Sequence, residues 1–185
     1  MPEARLEDSG SGLAPASDGW FVVNVRDAAW LTSENGNLRP SGSECSFESE
    51  QAGFAQLGVR IHVLEPDEPN GCYHSESQQE AFLVLSGECT LLVEGEERRL
   101  GPWDFFHSPA GTEHIFVGAG DEPCAIFMVG SRTGDWRVRY PVSELAARYD
   151  ASVEKETSDP REAYAGTFEP SRRERPSYWD LLPWT

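Results

Sequence analysis

Between Gly58 and Val129 the chain breaks into short apolar stretches separated by Gly, Pro, Asp and Asn, and no helical period interrupts them. Gly58–Leu64 alternates Val59, Ile61 and Val63 on one face with Arg60, His62 and Leu64 on the other, then meets a Pro/Asp/Asn/Gly turn cluster. Glu80–Ser86 and Glu88–Glu94 flank Gly87, and Glu94-Gly95-Glu96 reverses the chain again before Glu97–Leu100. Trp103–His107, His114–Val117 and Pro123–Val129 supply three further strands. Turn-punctuated strands of this length close on themselves as a barrel or jelly roll, because an open meander would leave its edges unpaired.

Inside this stretch lies Tyr73-His74-Ser75-Glu76-Ser77-Gln78-Gln79-Glu80, answered by Pro109-Ala110-Gly111-Thr112-Glu113-His114. Imidazole nitrogen and carboxylate oxygen are the donors that first-row divalent metals accept. The His74-x-Glu76 spacing puts two of them on one face of an extended strand, and Pro109-x-Gly111 forces a turn that delivers His114 from elsewhere in the sheet. Glu80 enters the next strand on the face shared by Phe82 and Val84. These residues point to a metal pocket inside a β-barrel.

The same residues resemble the cupin superfamily. Its first motif runs His-x-His, three or four residues, Glu, six residues, Gly. Here His74-x-Glu76, three residues, Glu80, six residues and Gly87 fit with one change, Glu76 in place of the second His. The second motif runs Gly, five residues, Pro-x-Gly-x-x-His, three residues, Asn. Pro109-x-Gly111-x-x-His114 fits its centre, while Trp103 stands at the first Gly and Gly118 at the Asn. The resemblance covers about Gly58 to Val129. It implies an all-β fold, a double-stranded β-helix or jelly-roll cupin barrel, here with an N-terminal strand extension and short C-terminal helices. It also implies metal ligation by His74, Glu80 and His114, with Glu76 as a fourth candidate.

Glu76 changes the charge of such a site. Two imidazoles and two carboxylates neutralise a divalent ion, whereas three imidazoles and one carboxylate leave it net positive. The oxygen-rich set shifts preference towards Mn or Fe(II), and Zn accepts the same donors. Alternatively Glu76 stays unligated beside a triad of two histidines and one carboxylate, where it serves as a catalytic base. The spacing leaves both arrangements open. Cys72, His62 and His107 are weaker candidates for contact with a metal or ligand; Cys72 reads better as a packed strand thiol.

The chain of 185 residues has room for one domain with a substantial core. We divide it into a mobile N-terminus (1–18), a strand-and-loop extension (19–55), the barrel (56–132) and a C-terminal arm (133–185). Trp20–Val25 reads as a strand and Thr32–Gly53 as a long connection. Ser143–Tyr149 and Asp159–Tyr164 read as short capped helices. The aromatic tail Pro176–Trp184 is expected to fold back over an apolar flank of the barrel; the competing reading docks it on a neighbouring subunit.

A formal net charge of -17 repels phosphate backbones and anionic head groups, which argues against nucleic acid and membrane partners. No stretch is long and apolar enough to span a bilayer, and the start lacks the pattern of a signal peptide, so a cytoplasmic protein is expected. Cys45, Cys72, Cys89 and Cys124 show no Cys-x-x-Cys spacing and are expected to remain unpaired. The apolar faces of Ala81–Leu85 suggest a homodimer. The expected function is a metal-dependent enzyme of dioxygenase or isomerase type, acting on a small organic molecule with Glu76 as proton acceptor. The alternatives are a non-catalytic small-ligand-binding or sensor cupin, and a structural partner module built on the tail.

Overall fold

The computed structural model describes residues 1–33, 42–165 and 172–185. Its strands in chain order are β1 (Leu6–Asp8), β2 (Leu13–Pro15), β3 (Trp30–Ser33), β4 (Gly42–Ser46) and β5 (Leu57–Leu64). They continue with β6 (Ser75–Glu76), β7 (Glu80–Ser86), β8 (Glu88–Val93), β9 (Glu96–Leu100) and β10 (Phe105–Ser108). The last are β11 (His114–Ala119), β12 (Cys124–Ser131) and β13 (Val138–Arg139), followed by helices α1 (Glu144–Ala147) and α2 (Pro160–Ala163).

Two antiparallel sheets carry the fold, one of six strands in the order β10-β7-β12-β5-β4-β3 and one of three in the order β11-β8-β9. Alternation along each strand sends one set of side chains between the sheets. Leu64, Phe82, Val84, Ile126 and Met128 from the larger sheet meet Cys89, Leu91 and Phe116 from the smaller one. This is the all-β double-sheet jelly roll expected above. It follows from strands whose period-2 pattern buries one face while hairpin turns keep successive strands antiparallel.

The turn chemistry accounts for two departures from the family motif. Trp103, at the motif's first glycine, has φ 75°, so the backbone there keeps the left-handed conformation that glycine normally supplies. Gly118, at the motif's Asn, approaches the chain just past β5 so closely that an added Cβ would lie 1.9 Å from the Glu65 carbonyl oxygen.

Outside the barrel the sequence reading needs correction. Residues 1–18, read as mobile, instead form the β1–β2 hairpin, which docks through Leu13 N–H to Asp27 O at 2.7 Å and Ser11 Oγ to Trp30 O at 2.6 Å. Backbone and hydroxyl hydrogen bonds hold this segment in place of large apolar side chains. Trp20–Val25 is not a strand; Trp20 makes only an isolated bridge with Glu3. The connection read over Thr32–Gly53 contains the end of β3 and all of β4, while residues 34–41 lie outside the described residues. β4 gives no apolar signal in the sequence because its fully buried residues are Ser43 and Cys45, not large hydrophobes.

Both short helices form. The Ser143 side chain accepts from Ala146 N–H at the start of α1, and Asp159 accepts from Arg161 N–H before Pro160 of α2. The tail packs on its own barrel. Leu182 is buried with Trp30, Ile61 and Val63, and the rings of Trp179 and Trp184 both lie 5.4 Å from that of Trp30. All four cysteines are buried, and none forms a disulfide among the described residues. Among the described residues no helix is long and apolar enough to cross a membrane.

Candidate metal centre

His74, just ahead of β6, and His114, at the start of β11, are joined by reciprocal backbone hydrogen bonds. His114 N–H donates to His74 O at 2.8 Å and His74 N–H to His114 O at 3.2 Å. Residues bridged in this way project side chains to the same side, and the two imidazole centroids are 5.2 Å apart. The turn Pro109-x-Gly111 makes the bridge possible: Gly111 has φ 86° and donates its N–H to Glu76 O at 2.7 Å.

Each ring is oriented through its Nδ1. That of His74 lies 2.8 Å from Cys72 O, and that of His114 lies 3.1 Å from Thr112 O. A carbonyl can only accept, so both Nδ1 atoms carry the proton and both Nε2 atoms present a lone pair. The rings of Phe82 and Phe106, at 5.2 and 5.6 Å from that of His114, fix its plane further.

Glu80 opens β7 beside these lone pairs, with Oε2 3.5 Å from His114 Nε2. That oxygen is buried and has no hydrogen-bond partner among the described residues. One ligand atom each from His74, Glu80 and His114 falls within 4.8 Å of the other two. Burial, and then the neighbouring Glu76 charge, raise the Glu80 carboxyl to about 8, partly opposed by Arg60. Burial, and then His74, lower His114 to about 4, and burial also pulls His74 down. Without a cation the triad is therefore neutral at pH 7, a protonated carboxyl facing two neutral imidazoles. Two oriented lone pairs and an unsatisfied buried carboxyl oxygen form a donor set suited to a divalent ion.

Glu76 is close but outside this group. Its Oε1 is 4.0 Å from His74 Nε2, and its Oε2 accepts the indole N–H of Trp136 at 2.8 Å. The four residues singled out from the sequence thus converge, with three in mutual reach and Glu76 held at the rim. Cys72 faces elsewhere: its thiol lies 3.7 Å from Ala163 O in a separate apolar cluster. His107 sits exposed on β10, whereas His62 does line the cleft.

The donors open into a cavity of about 570 Å³. Phe82, Ile115 and Met128 give it an apolar wall, and Arg60, Arg132 and Trp136 line its other sides. The functional reading of the sequence did not include Arg132, Trp136 or the cleft residue Glu44. Arg132 and Trp136 lie past the last barrel strand or at its end, and no local spacing links them to the histidines.

A family model described as a cupin domain matches residues 60–130. No curated protein is similar enough to match the chain. Among solved structures, a sugar phosphate isomerase from a cupin superfamily of Silicibacter pomeroyi is 24% identical with a TM-score of 0.55, over 65% of this chain and 81% of that one. A polyketide cyclase from Streptomyces resistomycificus is 16% identical with a TM-score of 0.52, over 61% and 80%. A protein from Acidithiobacillus ferrooxidans, provisionally named a sugar phosphate isomerase, is 26% identical with a TM-score of 0.49. The match spans 54% of this chain and only 64% of that protein's length. The first two are likenesses of fold.

Proposed function

Through residues 60–130 the chain belongs to the cupin superfamily, and from that premise we propose that it is a metal-dependent enzyme acting on a small organic molecule. His74, Glu80 and His114 would hold one divalent ion. The observation that carries this reading is Glu80 Oε2, a buried carboxyl oxygen beside two imidazole lone pairs with no hydrogen-bond partner among the described residues. Leaving such an atom unsatisfied costs roughly 1–3 kcal/mol, a cost that ligation removes.

A bound divalent ion supplies Lewis-acid polarisation of a substrate oxygen and, if it is Fe(II), access to dioxygen chemistry. The chain's own residues do the rest. Trp136 occupies one oxygen of Glu76, leaving Oε1 on the His74 side as the proton acceptor for an isomerase- or dioxygenase-type reaction. Phe82 and Met128 exclude water from one wall of the cleft, which strengthens every polar contact made within it. Mn, Fe(II) and Zn all accept these donors.

Elemental analysis of gently purified protein tests the reading, followed by calorimetric titration of the stripped form with Mn, Fe, Ni and Zn. About one ion per chain is expected, and His114→Ala should abolish uptake; no uptake above background by the parent protein would sink it. A non-catalytic ligand-binding cupin would bind the metal equally well and show no turnover that depends on Glu76.

A further inference from the structure

The rows of residues across the six-stranded sheet show what lies opposite the metal donors. Glu80 pairs with Gly130, and Gly130 with Gly58, so beyond Glu80 this row carries no side chains. In the adjacent row Phe82 pairs with Met128, and Met128 with Arg60. Both rows line the cleft, so a strip floored by glycine leads from the triad towards the end where Arg60 lies in the neighbouring row. Two strand spacings separate β7 from β5, roughly 10 Å.

Arg132 fills the space that a side chain on Gly58 would take. A Cβ added there would lie 3.2 Å from both its Nε and its Nη2. Each guanidinium is tethered by a carboxylate outside the triad. Arg60 Nη1 donates to Glu44 Oε2 at 3.0 Å. Arg132 donates to both oxygens of Glu48, at 2.6 and 2.8 Å, and to Phe54 O at 3.1 Å. The tethers fix the forks without exhausting them. The Nε and Nη2 groups of Arg60 and the Nε of Arg132 have no protein acceptor among the described residues, and both side chains keep nearly half their surface, at 48% and 42% exposed.

Among the described residues lining the cleft, these two are the only arginines or lysines, in a chain of net charge -17. A long-range field of that sign does not gather anions, so anion affinity has to come from donors at contact distance. Guanidinium forks are the side chains best matched to carboxylate and phosphate oxygens.

We propose that Arg60 and Arg132 form an anion subsite at the end of the cleft opposite His74, Glu80 and His114, and that the substrate is a short molecule bearing a carboxylate or phosphate group. The anionic group sits on the two forks, and an oxygen at the other end of the molecule reaches the metal donors. This rests on the reading of the cleft as a substrate site, and it narrows the substrate class.

Calorimetric titration of the full chain, as purified and after chelator treatment, with inorganic phosphate and separately with succinate tests the subsite. At least one anion should bind the stripped protein in the millimolar range. Arg60→Met and Arg132→Met should each weaken it at least tenfold, with Arg60→Lys intermediate and circular dichroism unchanged. Tighter phosphate binding would assign a phosphate-bearing substrate, and tighter succinate binding a carboxylic acid. The proposal is overturned if neither anion binds, or if binding survives Arg60→Met and Arg132→Met unchanged. Since the stripped protein is used, anion binding without metal uptake would remove the metal reading alone, and metal uptake without anion binding would remove the subsite alone.

Discussion

Trp136 donates its indole N–H to Glu76 Oε2 at 2.8 Å, across a separation of 60 residues, and Glu76 Oε1 stands 4.0 Å from His74 Nε2. Two ligands at right angles on a metal about 2.1 Å away are about 3 Å apart. Glu76 thus stands about 1 Å beyond that spacing, and we expect its bond to the indole to keep it there. Trp136→Phe removes the only donor in this bond and keeps an aromatic ring at the rim. Metal affinity should then rise about tenfold as Glu76 joins the triad, equivalent to about 1.4 kcal/mol. Glu76→Gln alone should leave affinity nearly unchanged and abolish turnover, and in the Trp136→Phe background it should remove the gain. Calorimetry on the four proteins of this cycle, with the Co(II) visible spectrum as a readout of coordination number, decides the matter. An unchanged Trp136→Phe protein would mean that the indole merely caps the cleft.

The perturbed triad predicts how pH acts. The Glu80 carboxyl is raised from 4.5 to about 8 in the folded protein. Its contribution to metal-free stability is complete below pH 4.5 and is lost as pH rises through 8, because unfolding releases a proton across that window. His114 is lowered from 6.5 to about 4 and works in the opposite sense, adding stability as pH rises from 4 to 6.5. His74, also lowered from 6.5, has its window below that pH. Between pH 6.5 and 8 Glu80 acts alone within the triad, and the metal-free protein should lose about 2 kcal/mol there. Urea unfolding at the two pH values measures it, and Glu80→Gln should remove the difference. Metal binding displaces the same proton, so affinity for Mn should rise roughly tenfold per pH unit below 8.

The barrel was legible in the sequence because period-2 alternation and turn residues agree over Gly58–Val129. His74, Glu80 and His114 were legible because motif spacing is fixed by local turn geometry, which the His74–His114 bridge realises. Other parts depend on contacts that no local pattern records. β4 buries Ser43 and Cys45, whose size and polarity give no apolar signal. The β1–β2 hairpin is held by hydrogen bonds to Asp27 and Trp30. Trp136 and Arg132 reach the cleft from the end of β12 and beyond. Arg60 reads as half of an alternating strand, and only the register of β5 against β12 and β7 places it opposite Phe82, in the row beside that of Glu80.

Assembly follows from the outer side of the larger sheet. β10 is an edge strand, and Phe105, opposite Leu83, is 65% exposed beside Trp103 at 74%. Exposed aromatics on an unpaired edge favour association with a second copy. A homodimer is the expected species in light scattering at micromolar concentration, and Phe105→Glu should shift it to the monomer mass. A parent protein that already runs as a monomer would refute this.

The tail belongs to stability rather than to assembly. Leu182 is 3% exposed, and with Trp179 and Trp184 it covers Trp30, which is fully buried. Truncating a buried leucine removes its transfer free energy and leaves a cavity under two indoles, a loss of about 2–5 kcal/mol. Leu182→Ala should therefore lower the unfolding midpoint in urea with little change in slope, and deletion of Ser177–Thr185 should lower it further by exposing Trp30. Both variants should keep the oligomeric state of the parent protein at concentrations where they remain folded, because the tail contacts its own barrel. A tail deletion that halves the mass in light scattering while leaving the urea midpoint unchanged would instead place these aromatics on a neighbouring subunit.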